Sequence, residues 1–261
     1  KAVYEKVEAF NHKVKYNYLN NLKYKPNNYT FDDLLKGKIT SKEFISGLSD
    51  EDLTHLVKGE GMSSPKVTPG IAAASGGVTA RLKDKKIPII AFSDGPSGIR
   101  MDSGFLASSL PNGALLASSF NLELIEKLFT AVGMEMKQYE IDILLGPGVN
   151  IYRNPLNGRN FEYFSEDPII TGVIASSVLK GLHNQARDGS IKHFTCNNQE
   201  SYRFTNEVVV SNRALREIYL KGYEIAIREG NAKVIMSSYN YVNGYHTLTH
   251  PLFYDDILRK E

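Results

Sequence analysis

The chain has 261 residues, of which 42% are hydrophobic and 23% are charged, an ordinary balance for a soluble globular protein that buries one large core. Its net charge of +2 gives no electrostatic reason to expect nucleic acid or a membrane as a partner. No apolar run approaches the roughly 18 residues of a membrane span, and no signal peptide is visible. We therefore expect a cytoplasmic location.

The first part of the chain, residues 1–58, is predicted to be a linker and helical segment. Residues 1–30 are rich in Lys, Asn and Tyr and have a weak helical period. Thr30, Thr40 and Ser49 precede three short helical patterns. Each can cap a helix start, because its hydroxyl accepts a hydrogen bond from a backbone N–H of the first turn.

Residues 59–261 are predicted to form part of a (β/α) barrel. Residues 59–79 are rich in Gly, Ser, Pro and Ala, which predicts a long loop without the pattern of a phosphate-binding P-loop. From Ile87 onward, short apolar strands alternate with amphipathic helices predicted at 121–139, 168–183 and 211–230. About five βα units are present, fewer than the eight of a closed barrel. The fold class is therefore α/β, a TIM-like (β/α)8 barrel that is incomplete in this chain.

The single cysteine, Cys196, has no partner for an internal disulfide. A buried thiol is the favoured interpretation, and a nucleophilic thiol is the alternative because His193 is close in sequence. The six histidines show no spacing typical of a zinc site. We expect no metal and no other cofactor.

Four segments of unusual composition follow the predicted strands. Residues 158–168 hold one Arg, two Glu, one Asp and three aromatic residues between a Gly and a Pro. Polar residues at the ends of successive buried strands usually face one common pocket. Aromatic faces beside fixed charges suit a ring that carries many hydroxyls. The four segments are 93–100, 158–168, 192–200 and 236–240.

Together these segments resemble the barrel domain of glycoside hydrolase family 3, whose common members are β-glucosidases. The resemblance covers roughly residues 85–261, and the leader at 59–62 is similar to the subgroup in which an α/β sandwich domain precedes the barrel. The motifs that carry it, in family order, are Asp94-Gly95-Pro96-Ser97-Gly98-Ile99-Arg100, Asn154-Pro155-Leu156-Asn157-Gly158-Arg159-Asn160-Phe161-Glu162, Lys192-His193-Phe194 with Asn198-Gln199-Glu200, and Met236-Ser237-Ser238-Tyr239-Asn240.

The resemblance implies that five charged or polar residues bind the non-reducing sugar. Asp94 would accept hydrogen bonds from adjacent hydroxyls, because an ionised carboxylate only accepts. Arg100 and Arg159 would donate around the same pocket, and Lys192 and His193 would donate from one strand end. Because side chains alternate along a strand, the last two residues both reach the pocket only if the strand twists or bulges there.

The resemblance also implies roles for four further residues. Met236 would line the pocket, and Tyr239 would lie close to the catalytic nucleophile. Glu162 and Glu200 are expected to pair with the basic residues rather than to take part in the chemistry.

The chemistry implied by the resemblance is retaining hydrolysis, in which one carboxylate attacks the anomeric carbon and a second acts as acid and then base. We expect neither catalytic carboxylate in this chain. The family's nucleophilic Asp lies on the strand after the segment at 236–240, and its acid/base Glu normally comes from the sandwich domain. Asp255 and Asp256 fall on a predicted helix and are rejected as nucleophiles. The chain is therefore expected to end before the nucleophile strand and to need the remaining barrel and the sandwich domain.

The expected ligand is a β-glucoside or oligosaccharide, with β-glucosidase as the first choice and β-xylosidase as the second. The N-acetylhexosaminidase branch carries Lys-His-Phe-Pro-Gly-His-Gly and is disfavoured, because here Phe194 is followed by Thr195 and Cys196. Two other classes stay open. One is an aldolase-type barrel with Lys192 as a Schiff-base lysine, and the other is a non-catalytic sugar-binding subunit. A homo-oligomer is also open.

Overall fold

The computed structural model describes residues 22–261, so the part of the predicted linker at 1–21 lies outside the described residues. The described chain forms one five-stranded and one three-stranded sheet. In chain order the strands are β1 (Ala73–Gly76), β2 (Ile89–Asp94), β3 (Ile143–Leu145), β4 (Asp188–Phe194), β5 (Glu207–Val208), β6 (Val234–Ser237), β7 (Tyr241–Val242) and β8 (Tyr245–His246).

The larger sheet has the strand order β1-β2-β3-β4-β6, which follows the chain. Strands β2, β3, β4 and β6 run parallel, and β1 runs antiparallel to β2. Parallel neighbours need a crossover, and each crossover here contains a helix. This arrangement is an incomplete (β/α) barrel, as the sequence predicts. The smaller sheet, β5-β7-β8, lies outside it.

Nine α-helices accompany the strands in the described residues, with wider π-helical turns at Leu215–Tyr219 and Leu252–Leu258. The predicted helices at 121–139 and 168–183 are confirmed, whereas the one predicted at 211–230 is divided into three consecutive helical pieces. The helices are α1 (Phe31–Leu35), α2 (Ser41–Ser46), α3 (Asp50–Lys58), α4 (Ala80–Asp84), α5 (Gly113–Ser118), α6 (Leu122–Gln138), α7 (Pro168–His183), α8 (Asn212–Ala214) and α9 (Lys221–Arg228).

Helix α7 is the centre of the helical layer. Its start is fixed by Asp167, whose carboxylate accepts hydrogen bonds from the backbone N–H groups of Ile169 and Ile170, while Pro168 occupies the first helical position. The helix packs against both α6 and α9 and buries residues on every side. The loop before it is thereby held against the carboxyl ends of the strands.

The prediction of a continuous loop at 59–79 is wrong in part, because β1 lies within it. Ala73, Ser75 and their neighbours lack the β-branched side chains that mark a strand in a sequence. Pairing with the edge of β2 supplies the backbone hydrogen bonds instead, and Glu60 pairs with Ala74 on the other side. The prediction of about five βα units from Ile87 onward is also one too many. Four parallel strands are each followed by a helix, and the fifth pair, β1 and α4, begins with an antiparallel strand.

Helices α1, α2 and α3 form a small second core beside the sheet. Phe44 and Leu48 pack around Leu82 of α4, and an ion pair of 2.7 Å joins Asp52 to Arg81. The predicted capping residues at 30, 40 and 49 all begin helices. Thr40 and Ser49 do so through reciprocal capping boxes, whereas at Thr30 the Asp33 carboxylate accepts from the backbone N–H and hydroxyl of Thr30. Within residues 22–261, no helix is long and apolar enough to cross a membrane.

Candidate active site

A cavity of 320 Å³ opens at the carboxyl ends of the parallel strands. This volume is within the range of small-ligand pockets. We call it the strand-end cavity. It is lined by Asp94, Gly95, Pro96, Ser97, Gly98, Arg100, Arg159, Phe161, Glu162 and Lys192.

Asp94 is placed at this cavity by a tight turn at the end of β2. Gly95 has a φ of +127°, and a Cβ there would lie 1.7 Å from the carbonyl oxygen of Gly98, so only glycine fits. The turn closes with a hydrogen bond of 2.8 Å from the backbone N–H of Arg100 to the carbonyl of Asp94. The Asp94 side chain stays 40% exposed and therefore open to a ligand.

Lys192 carries a buried positive charge beside Asp94. Its ammonium lies 2.8 Å from a carboxylate oxygen of Glu162 and 3.4 Å from one of Asp94. The Lys192 and Glu162 side chains are only 4% and 1% exposed. Because that pair is fixed and desolvated, the geometry presents a rigid ammonium donor next to an accessible carboxylate acceptor.

Arg159 is the second basic group of the cavity, and three partners hold it. Its guanidinium donates to Glu162 at 2.9 Å and to the Nε2 atom of His193 at 3.2 Å, and it forms an ion pair of 2.8 Å with Glu200. Both predicted carboxylate partners, Glu162 and Glu200, thus pair with basic residues. A guanidinium fixed in this way needs little reorganisation to donate to a ligand.

Strand β4 is irregular where it reaches the cavity. Its register against β6 shifts between Ile191 and Phe194. At this irregularity the Asn150 side chain takes the place of a neighbouring strand. Its oxygen accepts a hydrogen bond of 2.8 Å from the backbone N–H of His193, and its amide donates one of 3.0 Å to the His193 carbonyl. The bulge that Lys192 and His193 need in order to share one side of the sheet is therefore present.

His193 is a neutral imidazole in a fixed orientation. Burial, and then the positive charges of Lys192 and Arg159, hold the pKa of His193 well below its usual value of 6.5. Because Arg159 donates to Nε2, the proton must be on Nδ1, which donates to the Tyr163 hydroxyl at 3.0 Å. Tyr163 in turn accepts from the amide of Asn197 at 3.0 Å. A direct bond from His193 to a sugar hydroxyl, as predicted, would have to replace one of these contacts.

The remaining predicted residues lie around the cavity rather than inside it. Arg100 lines its rim and is exposed, with an ion pair of 2.9 Å to Asp102. Tyr239 packs against Phe204 rather than against the cavity. Met236 is half-buried in β6 and is not among the residues that line the cavity. Their contacts with a sugar stay predictions.

Several residues that build the site were not singled out from the sequence. Tyr163 and Tyr223 are buried like core residues, yet both hydroxyls bond to His193 or its backbone. Tyr in place of Phe at a core position is the signal for such a bond. Arg203 pairs with Glu200 at 2.9 Å across a turn, and no helical period in the sequence marks this pair.

Three other candidates are separate from the site. Cys196 is completely buried, and burial raises the pKa of its thiol to about 12, so the buried-thiol interpretation is confirmed. Asp255 and Asp256 lie on the last helical segment and pair with Arg259 and Lys260 at 2.8 and 2.6 Å. In the part of the chain that the structure describes, no three His, Cys, Asp or Glu side chains converge as a metal site.

Comparison with known proteins gives the family. A model described as the glycosyl hydrolase family 3 N terminal domain matches residues 38–261. A beta-glucosidase of Ruminococcus albus is 57% identical over 215 residues, which are 82% of this chain and 23% of that protein.

Solved structures agree with this match. A beta-glucosidase from Paenibacillus barengoltzii aligns with a TM-score of 0.87 and 54% identity over 91% of this chain and 26% of that one. Beta-glucosidase 3B from Thermotoga neapolitana, solved in complex with glucose, aligns with a TM-score of 0.77 and 38% identity over 84% of this chain and 32% of that one. The chain therefore spans less than a third of the length of these relatives. It belongs to glycosyl hydrolase family 3, through the N-terminal domain of that family.

Proposed function

We propose that the chain supplies the glycone-binding part of a retaining, exo-acting β-glucosidase, which removes terminal non-reducing β-D-glucosyl residues. The observation that carries the proposal is the accessible Asp94 carboxylate held beside the buried Lys192 ammonium. Relatives named beta-glucosidase, one of them solved with glucose, support the choice of sugar.

The cavity suits a ring with adjacent hydroxyls. Asp94 accepts two hydrogen bonds from neighbouring hydroxyls, while Lys192 and Arg159 donate to their oxygens. Such charge-assisted bonds are about twice as strong as neutral ones. Bonds that tighten as the ring flattens toward the oxocarbenium-like transition state lower the barrier rather than only the KM.

The hydrolysis itself needs two carboxylates about 5 Å apart, one nucleophile and one acid/base. We propose that both come from outside this chain, from the remaining barrel strands and an α/β sandwich domain. Asp255 and Asp256 have surface ion-pair partners instead of a cavity. The role of residues 22–261 is then to hold the glycone in place for those groups.

The other classes have no such support. A Schiff-base lysine is activated by an apolar pocket or a neighbouring cation, whereas the Lys192 amine lies between two carboxylates. Family membership also opposes an aldolase-type reaction. A non-catalytic sugar-binding subunit remains as an outcome of the test below.

The test is Asp94→Ala in the protein that carries this chain, assayed with an aryl β-glucoside. We expect kcat/KM to fall at least about a hundredfold, because a lost charge-assisted contact costs on the order of 3 kcal/mol in the transition state. Asp84→Ala, at the exposed end of α4, is the matched control and should leave the kinetics unchanged. Near-normal kinetics for the Asp94 variant would refute its role. Glucose binding without any turnover by the unaltered protein would favour the sugar-binding subunit.

A further inference from the structure

A closed loop of polar contacts begins and ends at Arg159. Its guanidinium contacts Nε2 of His193 at 3.2 Å, and Nδ1 of the same imidazole contacts the Tyr163 hydroxyl at 3.0 Å. The Asn197 amide donates to that hydroxyl at 3.0 Å and to Glu200 at 3.2 Å. Glu200 forms an ion pair of 2.8 Å with Arg159 and so closes the loop. We call these five residues the Arg159 network.

The two charged members determine the direction of every hydrogen bond in the Arg159 network. A carboxylate only accepts, so the side-chain nitrogen of Asn197 must face Glu200, and it also donates to Tyr163. The Tyr163 oxygen accepts a second bond from Nδ1 of His193, and its own proton is directed to the Asn197 carbonyl at 3.3 Å. Nε2 of His193 is then the acceptor for Arg159, which only donates.

The middle of the Arg159 network is shielded from water. Tyr163, His193 and Asn197 are 0%, 3% and 1% exposed. Removing one of these groups therefore leaves its partners with unpaired buried donors or acceptors. Of the five residues, Arg159 is the one that lines the strand-end cavity. Tyr163 and Asn197 can thus influence a ligand in the cavity only through their partners.

The Arg159 network holds two of the three guanidinium nitrogens. Nη1 donates to Glu162 and contacts His193, and Nε pairs with Glu200. Nη2 makes no hydrogen bond to another described residue, so it is the nitrogen left for a sugar hydroxyl. Because a guanidinium is planar, fixing two of its nitrogens also fixes the direction of the third.

We propose that Tyr163 and Asn197 are positioning residues for glycone binding, because they hold the partners that orient Nη2 of Arg159. The inference rests on the proposed β-glucosidase function and adds two residues that touch no ligand. Tyr163 acts through His193, which it keeps as an acceptor for Arg159. Asn197 acts through both Tyr163 and Glu200.

The experiment is a double-mutant cycle between Tyr163→Phe and Arg159→Lys in the protein that carries this chain, with an aryl β-glucoside as substrate. Phe removes only the hydroxyl, and Lys keeps the positive charge but lacks the planar fork. We expect Tyr163→Phe alone to lower kcat/KM about tenfold. In the Arg159→Lys background it should lower kcat/KM less than about twofold, since the group through which Tyr163 acts is already gone.

Tyr139→Phe is the matched control, because the Tyr139 hydroxyl donates to the Leu106 carbonyl at 2.6 Å, outside the Arg159 network. It should leave kcat/KM unchanged in both backgrounds. A Tyr163→Phe effect of equal size with Arg159 and with Lys would show that Tyr163 supports the fold without acting through Arg159. That result, or normal kinetics for Tyr163→Phe, would overturn the proposal.

Asn197→Asp tests the second positioning residue without changing the shape of the side chain. It replaces an amide donor that faces Glu200 by an acceptor, and we expect kcat/KM to fall at least about tenfold. Asn184→Asp is the matched control, because the Asn184 amide also donates to a carboxylate and a hydroxyl, those of Glu126 and Thr130 at 3.2 and 3.1 Å. Equal kinetics for the two variants would exclude Asn197 from the role.

The direction of the Arg159 network can also be measured in the unaltered protein. Neutron crystallography should locate a proton on Nδ1 of His193 and none on Nε2. A proton on Nε2 would overturn the proposal, because that nitrogen could then not accept from Arg159. This measurement needs no turnover and is therefore independent of the proposed function, which an unaltered protein that does not hydrolyse aryl β-glucosides would refute.

Discussion

Glu162 shows how much a single buried charge contributes to this site. Its carboxylate compensates both Lys192 and Arg159 while being almost completely buried. An ammonium that loses such a partner without gaining water is strongly destabilising. Glu162 therefore contributes to stability and also holds Lys192 and Arg159 in position at the cavity.

We expect Glu162→Gln to lower the free energy of unfolding by about 3 kcal/mol, because the buried Lys192 side chain loses its nearest counter-ion, 2.8 Å away. The measurement is urea denaturation at neutral pH. Glu123→Gln is the matched control, since Glu123 pairs with Lys127 at 2.6 Å on an exposed face of α6, where solvent screens the pair and it contributes little to stability. Equal effects of the two substitutions would contradict the burial argument.

The neutral state of His193 predicts a pH dependence. Its pKa is lower in the folded chain than in the unfolded chain. Between the two values the unfolded chain binds a proton that the folded chain does not bind. The unfolding free energy therefore falls as the pH drops below about 6.5, by about 1.4 kcal/mol per pH unit from this group.

Denaturation of the unaltered chain and of His193→Gln at several pH values from 7.5 to 5 checks this prediction. The variant should be less stable at pH 7.5 but should lose less stability on acidification. Parallel curves for the two proteins would show that His193 titrates in the same way folded and unfolded.

At the scale of elements, the conformation of the loop from β3 to α7 depends on close packing of its backbone around Gly148. A Cβ on Gly148 would lie 2.6 Å from the carbonyl oxygen of Glu162 and 2.7 Å from the Tyr163 ring. We expect Gly148→Ala to lower the unfolding free energy by about 2 kcal/mol through overpacking, and to reduce activity because Glu162 and Tyr163 are displaced.

Thermal unfolding and aryl β-glucoside kinetics measure both effects. Gly158→Ala, in the same loop, is the control, because its Cβ would meet only the Glu200 side chain at 3.5 Å, an ordinary contact. A Gly148 variant as stable as the Gly158 variant would mean that the loop can shift to accommodate the added methyl group without a loss of unfolding free energy.

The sequence predicted strands β2, β3, β4 and β6, helices α6 and α7, and the convergence of Asp94, Arg159 and Lys192, because local patterns and strand-end position determine them. It did not predict β1, whose small residues become a strand only by pairing with β2. Nor did it assign Asn150 a role, since the contact of Asn150 with His193 bridges 43 positions. Such long-range contacts have no local pattern from which to be recognised.

At the scale of the whole molecule, β6 is the open edge of the barrel sheet. Among the described residues it pairs only with β4, and all four of its residues are half-buried. Unpaired edges expose backbone N–H and C=O groups that favour association with another strand. A barrel with its remaining strands would cover this edge.

Hydrogen exchange tests this picture. In the 261-residue chain alone, the amides of β6 should exchange much faster than those of β3, which is paired on both sides. In the protein that carries the remaining strands, the two should be similarly protected. Fast exchange of β6 in both samples would contradict the incomplete-barrel interpretation.

The proton on Nδ1 of His193 lies between buried partners and points at the Tyr163 hydroxyl. Shielded from water, it should exchange slowly and give a resolved proton NMR resonance far downfield of the backbone amides. Because Arg159 contacts the opposite nitrogen of the same ring, a sugar that draws Arg159 toward its own hydroxyls would shift that signal. The chemical shift of the His193 Nδ1 proton would therefore report whether a ligand occupies the strand-end cavity.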